Sequence, residues 1–346
     1  MSTITIVGSG MMGSALTFPL STNGHAIRLV GTPLDREIIN ELKASGSHLT
    51  LKRRLPEGIA FYQIEEIETA LAGADLLCNG VSSFGLDWFK NEIIPLIPED
   101  LPVLSVTKGM ASLPDGSLIS FPEVCEASTD RKISFNAIGG PCTSYELADH
   151  DPTEVTFCGR QLAQLRWLKI LFETDYYHVS LSTDVRGVEC AVAMKNAYAL
   201  GVSLAIGLSY RREGREFEHF NSQAALFGQS VSEMLRLLKL CGGDVSNIAL
   251  GAGDLYVTVF GGRSRKIGTL LGTGMAYDQA AATLSGLTLE SVAIARLTAG
   301  SVRKLISRGK TTAAEFPLLL HVDELISQGK LVDIPWKAFE TEFEIK

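Results

Sequence analysis

The stretch T-I-T-I-V-G-S-G-M-M-G-S-A-L, Thr3 to Leu16, decides how this chain folds. Its first five residues form an apolar, β-branched run, the composition of a buried strand. Gly8, Gly10 and Gly13 follow in the order G-x-G-x-x-G and lead into a helix, with Met11 and Met12 inside the turn. A second apolar run, Ala26–Val30, completes a βαβ unit within thirty residues. In such a unit each glycine has its own use: a tight turn, close approach of backbone to a pyrophosphate, and close packing of helix on strand. The helix start then faces the phosphates. Glycine turns are common between strands and helices, so it is the position after an N-terminal strand that points to a dinucleotide. Pro19 falls inside the helix and predicts a kink.

Further strands are predicted at Leu76–Val81, Val103–Val106, Ile133–Ile138, Val155–Cys158 and Tyr177–Leu181, separated by helical or loop segments. Alternation of this kind implies an α/β fold with a doubly wound, mostly parallel sheet. After about residue 183 the period becomes helical, with long stretches at Asp184–Leu208, Gln223–Leu240 and Thr288–Ser307. The expected organisation is a Rossmann-type domain over residues 1–182 and an all-helical substrate-binding and catalytic domain over 183–346. At 37.3 kDa, the chain is long enough for two cores. Arg308-Gly309-Lys310-Thr311 resembles the end of a phosphate loop, but Lys304 stands where its first glycine belongs.

Composition excludes several classes of function. A net charge of −8 argues against nucleic acid as the main partner, and no basic run with interleaved aromatics is present. The six cysteines are widely spaced, with no C-x-x-C and no signal peptide ahead of them, so reduced thiols and a cytoplasmic location are expected. The six histidines show no metal spacing, and no bound metal is expected.

Cofactor choice is set just past the second strand, where a carboxylate usually takes the ribose 2′-hydroxyl and repels a 2′-phosphate. Here the strand ends in Val30, Gly31 and Thr32; the first acid, Asp35, comes late, with Arg36 beside it and Arg28 upstream. An uncharged strand end with a nearby guanidinium suits NADP, with NAD tolerated. Asp35 folding back onto the ribose is the competing arrangement.

One residue stands out in the helical half. Cys190 to Tyr210 carries a single charge, Lys195, within C-A-V-A-M-K-N-A-Y-A-L-G. Burial penalises the ammonium, so its proton becomes available near neutral pH, as an acid–base catalyst requires. Two plainer readings compete: a membrane span, against which Lys195, Asn196 and Ser203 argue, and a core helix whose lysine snorkels or pairs structurally. Three other segments carry polar chemistry. Ser105-Val106-Thr107-Lys108-Gly109 sets a lysine just past a strand, where open α/β sheets bind ligands, unless it is a surface lysine. Gly139-Gly140-Pro141-Cys142-Thr143-Ser144 follows another strand, as a ligand-facing turn or simply a tight one. Gly251–Lys266 (G-A-G-D-L-Y-V-T-V-F-G-G-R-S-R-K) joins an acid to clustered cations; a helix cap and a solvated cationic face are its plain readings.

In their order along the chain, these motifs resemble the NAD(P)-dependent glycerol-3-phosphate dehydrogenase family. The resemblance rests on G-S-G-M-M-G, S-V-T-K-G (Ser105–Gly109), G-G-P-C-T-S-Y-E (Gly139–Glu146), D-V-R-G-V-E…M-K-N (Asp184–Asn196) and G-D-L-Y-V-T…G-G-R-S-R-K, and spans nearly the whole chain. It implies oxidation of sn-glycerol 3-phosphate, or reduction of dihydroxyacetone phosphate, with hydride passing to or from NAD(P). By similarity Lys195 is the proton donor and acceptor, Lys108 touches cofactor and substrate, and Asp254 orients or balances Lys195. Asn196, Thr258, Gly140, Cys142 and Ser264 complete the substrate site, and Arg263 grips the phosphate. Gly8, Gly10, Met11, Met12, Gly13, Thr32, Arg36, Lys108, Ser144, Arg263 and Glu290 are the implied cofactor contacts. The expected partners are a small phosphorylated substrate and a second copy of the chain, with no nucleic acid and no membrane span.

The chain departs from the family pattern in places. Ser264 stands where an asparagine is usual and Cys142 where a small hydroxyl residue is common; both loosen substrate hydrogen bonding. Arg211, Arg212 and Arg215 lie in a long loop after the lysine helix, suited to a second anionic group on a larger hydroxy-phosphate. Two alternatives remain open: a 3-hydroxyacid, 6-phosphogluconate or ketopantoate enzyme, against which the G-D-L-Y-V-T segment speaks, and a non-catalytic nucleotide sensor, which would be expected to lack Lys195 or Lys108.

Overall fold

The computed structural model describes residues 1–215 and 219–341. The chain forms two compact units, Met1–Gly109 with Ser120–Glu189, and Met110–Ile119 with Cys190–Lys346.

The strands are β1 (Thr3–Val7), β2 (Ala26–Val30), β3 (Ala60–Tyr62), β4 (Leu76–Asn79), β5 (Val103–Ser105), β6 (Met110–Ser112), β7 (Leu118–Ser120), β8 (Phe135–Gly139), β9 (Thr153–Cys158) and β10 (Tyr177–Ser182). All but β6 and β7 build one sheet in the order β10-β9-β8-β5-β4-β1-β2-β3. Every neighbouring pair is parallel except β8 and β9. This is the parallel-dominated, doubly wound sheet expected from the alternation. Because β1 pairs with both β2 and β4, the winding direction reverses beside it, the position at which open α/β sheets bind ligands past the C-terminal ends of their strands.

The first unit carries helices α1 (Met11–Ala15), α2 (Thr17–Thr22), α3 (Arg36–Ser45), α4 (Ile67–Leu71), α5 (Leu86–Trp88), α6 (Phe121–Glu126), α7 (Ser144–Ala148) and α8 (Leu162–Phe172). The expected kink falls at Leu16: proline has no N–H to return to the Ala15 carbonyl, and the helix is interrupted there although the Leu16 backbone stays right-handed helical. Ile4, Ile6, Leu29, Leu76 and Leu104 alternate into a core shared with Leu165, Leu168 and Phe172 of α8. The edge strand β3, three half-buried residues beside Arg28–Val30, was not expected from so short a run.

The lysine helix runs from Val185 to Glu213 with one interruption: α9 (Val185–Ala193) ends before Met194, whose backbone stays right-handed helical, and α10 (Lys195–Glu213) starts at the lysine itself. Asp184 caps α9, its Oδ1 accepting from the Gly187 amide at 2.9 Å, and Arg186 forks onto Glu123. Those two motif residues therefore hold structure. The second unit continues with α11 (Phe220–Leu240), α12 (Ile248–Val259), α13 (Gly262–Gly272), α14 (Tyr277–Thr283), α15 (Glu290–Ser307) and α16 (Pro317–Ser327).

α10 runs through the middle of this unit. A Cβ on Gly207 would lie 2.1 Å from the Thr269 carbonyl oxygen, and one on Gly272 2.3 Å from that of Leu204, so α10 and α13 meet backbone to backbone. This explains the small-residue, apolar composition of α10 without a bilayer. By length the α9–α10 segment would cross a membrane, but 83% of its apolar window is buried inside the protein. The strands β6 and β7 form a hairpin counted with this unit. Its tip approaches α15, where Ser112 and Ser301 hydroxyls are 2.6 Å apart.

A buried carboxylate ties three helices together. Glu233 of α11 accepts from the Leu318 and Leu319 amides at 2.7 and 3.0 Å, and from the Tyr198 hydroxyl at 3.2 Å. It thereby satisfies two of the amides orphaned at the start of α16. Glu233→Ala strands these donors in the core and is expected to cost about 2–4 kcal/mol. Chemical denaturation would check it; a loss below about 0.5 kcal/mol would contradict this role.

Candidate active site

The glycine turn is built by close contact. Gly8 has φ +103°, and a Cβ there would lie 2.7 Å from the Gly80 carbonyl carbon; one on Gly13 would lie 2.1 Å from the Gly8 oxygen. Both positions exclude any side chain. A Cβ on Gly10, by contrast, meets nothing within 4 Å, which leaves open space over the turn, as close approach of a pyrophosphate requires. Met11 and Met12 form the first turn of α1 beside that space. These residues fit a dinucleotide.

At the end of β2, Asp35 is folded back onto the strand ends. Its Oδ2 accepts from the Thr32 amide at 2.9 Å, the Thr32 hydroxyl at 2.8 Å and the Ser9 amide at 3.2 Å. The strand end that reads as uncharged in sequence thus carries a carboxylate, one of whose oxygens is saturated from within. Arg36 turns to Glu65 in an exposed ion pair instead of standing beside Thr32.

Further along the same sheet edge, the Lys108 ammonium donates to the Gly140 carbonyl at 2.7 Å, joining the loops after β5 and β8. Gly140 has φ +112°. Cys142 is partly buried, Thr143 caps α7 through its hydroxyl, and Ser144 is buried in that helix's first turn. Glu189 is fully buried, and neither carboxyl oxygen has a partner in hydrogen-bonding geometry among the described residues. Burial pushes its carboxyl up to about 8, partly offset by the Lys108 charge and the Gly109 amide.

That displacement has a consequence for stability. Below about 4.5 the carboxyl is protonated whether folded or not; between there and about 8 only the folded chain keeps the proton. Stability should therefore fall as pH rises through this window, by at most about 1.4 kcal/mol per unit, and level off above it. Glu189→Gln is expected to flatten this slope, so that urea midpoints of variant and wild type diverge from pH 5 to pH 8 in the variant's favour. Parallel midpoints would contradict the buried-acid account.

In the second unit the implied residues occur as linked pairs. Lys195 and Asp254 form an ion pair in which Asp254 is fully buried and Lys195 retains 15% side-chain exposure. Asp254 lies inside α12, so it is not the helix cap of the plain reading. A carboxylate partner favours the ammonium and opposes the effect of burial considered alone. One turn on, the Thr258 hydroxyl donates to the Asp254 carbonyl at 2.6 Å. The Ser264 hydroxyl lies 3.3 Å from Asn196 Oδ1, and Arg263 lies 3.7 Å from the Glu290 carboxylate, both guanidinium and carboxylate partly exposed. Arg265 bonds the Val259 carbonyl at the end of α12. Arg211 and Arg212 occupy the last turn of α10 and Arg215 follows its Gly214 cap, all exposed; Glu216–Glu218 of that loop lie outside the described residues.

Sequence reasoning missed the buried Glu189 and the buried His48, which lies in an aperiodic polar stretch. For Asp35 it weighed a fold-back onto the ribose, whereas the side chain bonds the nearby Thr32 and, 26 residues away, the Ser9 amide.

The chain matches the family described as NAD-dependent glycerol-3-phosphate dehydrogenase, its N-terminal part over residues 3–163 and its C-terminal part over 184–335. It is 33% identical over 280 residues to an NADP(+)-dependent glycerol-3-phosphate dehydrogenase of Archaeoglobus fulgidus, covering 80% of this chain and 82% of that one. A glycerol-3-phosphate dehydrogenase [NAD(P)+] of Desulfotalea psychrophila is 29% identical over 335 residues, covering 94% and 93%. In fold, it is similar to the crystal structure of glycerol-3-phosphate dehydrogenase from Coxiella burnetii, with a TM-score of 0.79 over 98% of this chain and 97% of that one at 23% identity.

Proposed function

The chain belongs to the NAD-dependent glycerol-3-phosphate dehydrogenase family, and from that premise we propose that it interconverts sn-glycerol 3-phosphate and dihydroxyacetone phosphate with NAD or NADP. The observation that carries the reading is the Lys195–Asp254 pair, a lysine with 15% side-chain exposure held on a fully buried carboxylate, on neighbouring helices that also carry Asn196, Thr258 and Arg263.

When bound, the nicotinamide supplies or accepts the hydride at C2. Lys195 gives its proton to the oxygen on C2 as charge develops there, and takes it back in the oxidative direction. Asp254 holds the Lys195 ammonium in place, and Thr258 fixes the Asp254 backbone one turn away. Arg263 receives the substrate phosphate through its paired N–H groups, exchanging a loose contact with Glu290 for it. Asn196 and Ser264 present an amide and a hydroxyl, and Lys108, Gly140 and Cys142 line the substrate from the sheet edge. Gly8, Gly10, Met11, Met12, Gly13, Thr32, Arg36, Ser144 and Glu290 serve the cofactor. We retain residues 1–182 as the dinucleotide-binding domain and 183–346 as the substrate-binding and catalytic one. We retain a cytoplasmic location as a proposal; the chain's six cysteines are free thiols, which fits a reducing compartment. A homodimer suits the exposed aromatic pair of Tyr256 on α12 and Phe260 at its C-terminal cap; light scattering would test it.

NADP is the favoured cofactor. Asp35 is occupied by three internal donors, and the exposed Arg36–Glu65 pair is weak enough to yield to a phosphate; the Archaeoglobus relative is NADP(+)-dependent by name. Initial rates with dihydroxyacetone phosphate are expected to give a higher kcat/KM with NADPH than with NADH. Thr32→Asp adds a second negative charge at the strand end and should reverse the order. A wild-type preference for NADH would overturn this, and would assign the ribose hydroxyls to Asp35.

A further inference from the structure

His48 reaches the glycine turn from a loop that no motif marks. It is 1% exposed, and its Nδ1 accepts from the Thr50 and Leu51 amides at 3.2 and 3.0 Å. Two donors on Nδ1 leave the neutral ring's proton on Nε2, which lies 2.7 Å from the Ser9 carbonyl. Burial keeps the ring below the usual histidine range and so neutral at physiological pH. The Ser9 amide, on the other face of the same residue, is held by Asp35 at 3.2 Å. Ser9 lies between Gly8 and Gly10, the two glycines that shape the turn and leave space above it.

We propose that His48 is a positioning residue for the cofactor: through Nε2–H it holds the Ser9 peptide, and with it the glycine turn, in the orientation that receives the dinucleotide pyrophosphate. The inference rests on the glycine turn being the dinucleotide site. A turn built from glycines is intrinsically mobile, so an external clamp on its carbonyl lowers the ordering cost of binding. The Ser14 hydroxyl also donates to the Ser9 carbonyl, at 3.2 Å, so loss of His48 weakens the hold without abolishing it.

The two ring nitrogens have separable duties, and two variants distinguish them. In His48→Asn the side-chain oxygen still accepts from Thr50 and Leu51, but no donor reaches Ser9. In His48→Gln the amide nitrogen reaches Ser9. Calorimetric titration of the full-length protein with NADPH is expected to show Kd raised about 5- to 15-fold in His48→Asn, the worth of one buried hydrogen bond, and by less than about 3-fold in His48→Gln. The KM for dihydroxyacetone phosphate and kcat at saturating NADPH should stay within about 2-fold of wild type in both. If the wild type itself bound neither NADPH nor NADH, the reading of the glycine turn would fail. Wild-type binding with His48→Asn equally tight, or with both variants weakened alike, would overturn the role of His48. Should His48→Asn not fold, His48→Gln decides: weakening beyond about 10-fold with the donor retained would overturn the proposal, and near-wild-type binding supports it.

Discussion

Lys195→Met is expected to lower turnover at least about 100-fold while NADPH binding stays within a few-fold of wild type, because it removes the proton donor and nothing at the glycine turn. Its effect on stability is less simple than a charge-free helix suggests. Asp254 is fully buried against the lysine, so the substitution leaves a carboxylate with its cation gone. Removing one member of a buried ion pair costs about 3–5 kcal/mol. The double variant Lys195→Met with Asp254→Leu should therefore recover thermal stability lost by the single one, and recover no activity. Single-turnover rates and melting curves on the three proteins separate catalysis from folding. Turnover near wild type in Lys195→Met would end the assignment of Lys195 as acid and base.

Arg263→Lys is expected to raise the KM for dihydroxyacetone phosphate about 10- to 100-fold and to leave that for the cofactor nearly unchanged. A guanidinium grips phosphate through two parallel N–H bonds; an ammonium offers a point charge, and the loss of one charge-assisted bond is worth about 1.5–3 kcal/mol. Arg263 is partly exposed and only loosely placed against Glu290 at 3.7 Å, so folding depends little on it. Steady-state kinetics with each substrate varied in turn would show the split. Both constants rising together would assign Arg263 to the cofactor, and neither rising would remove it from the site.

The parts of this fold that could be read from sequence are those where the pattern is local. β1, the glycine turn and β2 were legible because two short β-branched and aliphatic runs flank three glycines at fixed spacing, a signal contained within thirty residues. The hairpin β6–β7 was missed although Leu113-Pro114-Asp115-Gly116-Ser117 is a strong turn signal, because its strands are three residues each. The break at Met194 is invisible to periodicity, since α9 and α10 carry one apolar pattern across it. Lys195 announced itself by its isolation, whereas its bond to Asp254 spans 59 residues and no local rule contains it. The same holds for His48 on Ser9, 39 residues apart, and for Asp35, whose lateness after β2 suggested an uncharged strand end until the fold brought it back. Motif order nominates candidate site residues; the pairings seen among them are products of tertiary packing.

The fate of the hydride reports on the reaction itself. With dihydroxyacetone phosphate and NADPH deuterated at the transferable position, glycerol 3-phosphate is expected to carry one deuterium, located at C2 by NMR, in step with loss of reduced-nicotinamide absorbance. No cofactor oxidation with this substrate, or deuterium at any other carbon, would contradict the proposed interconversion.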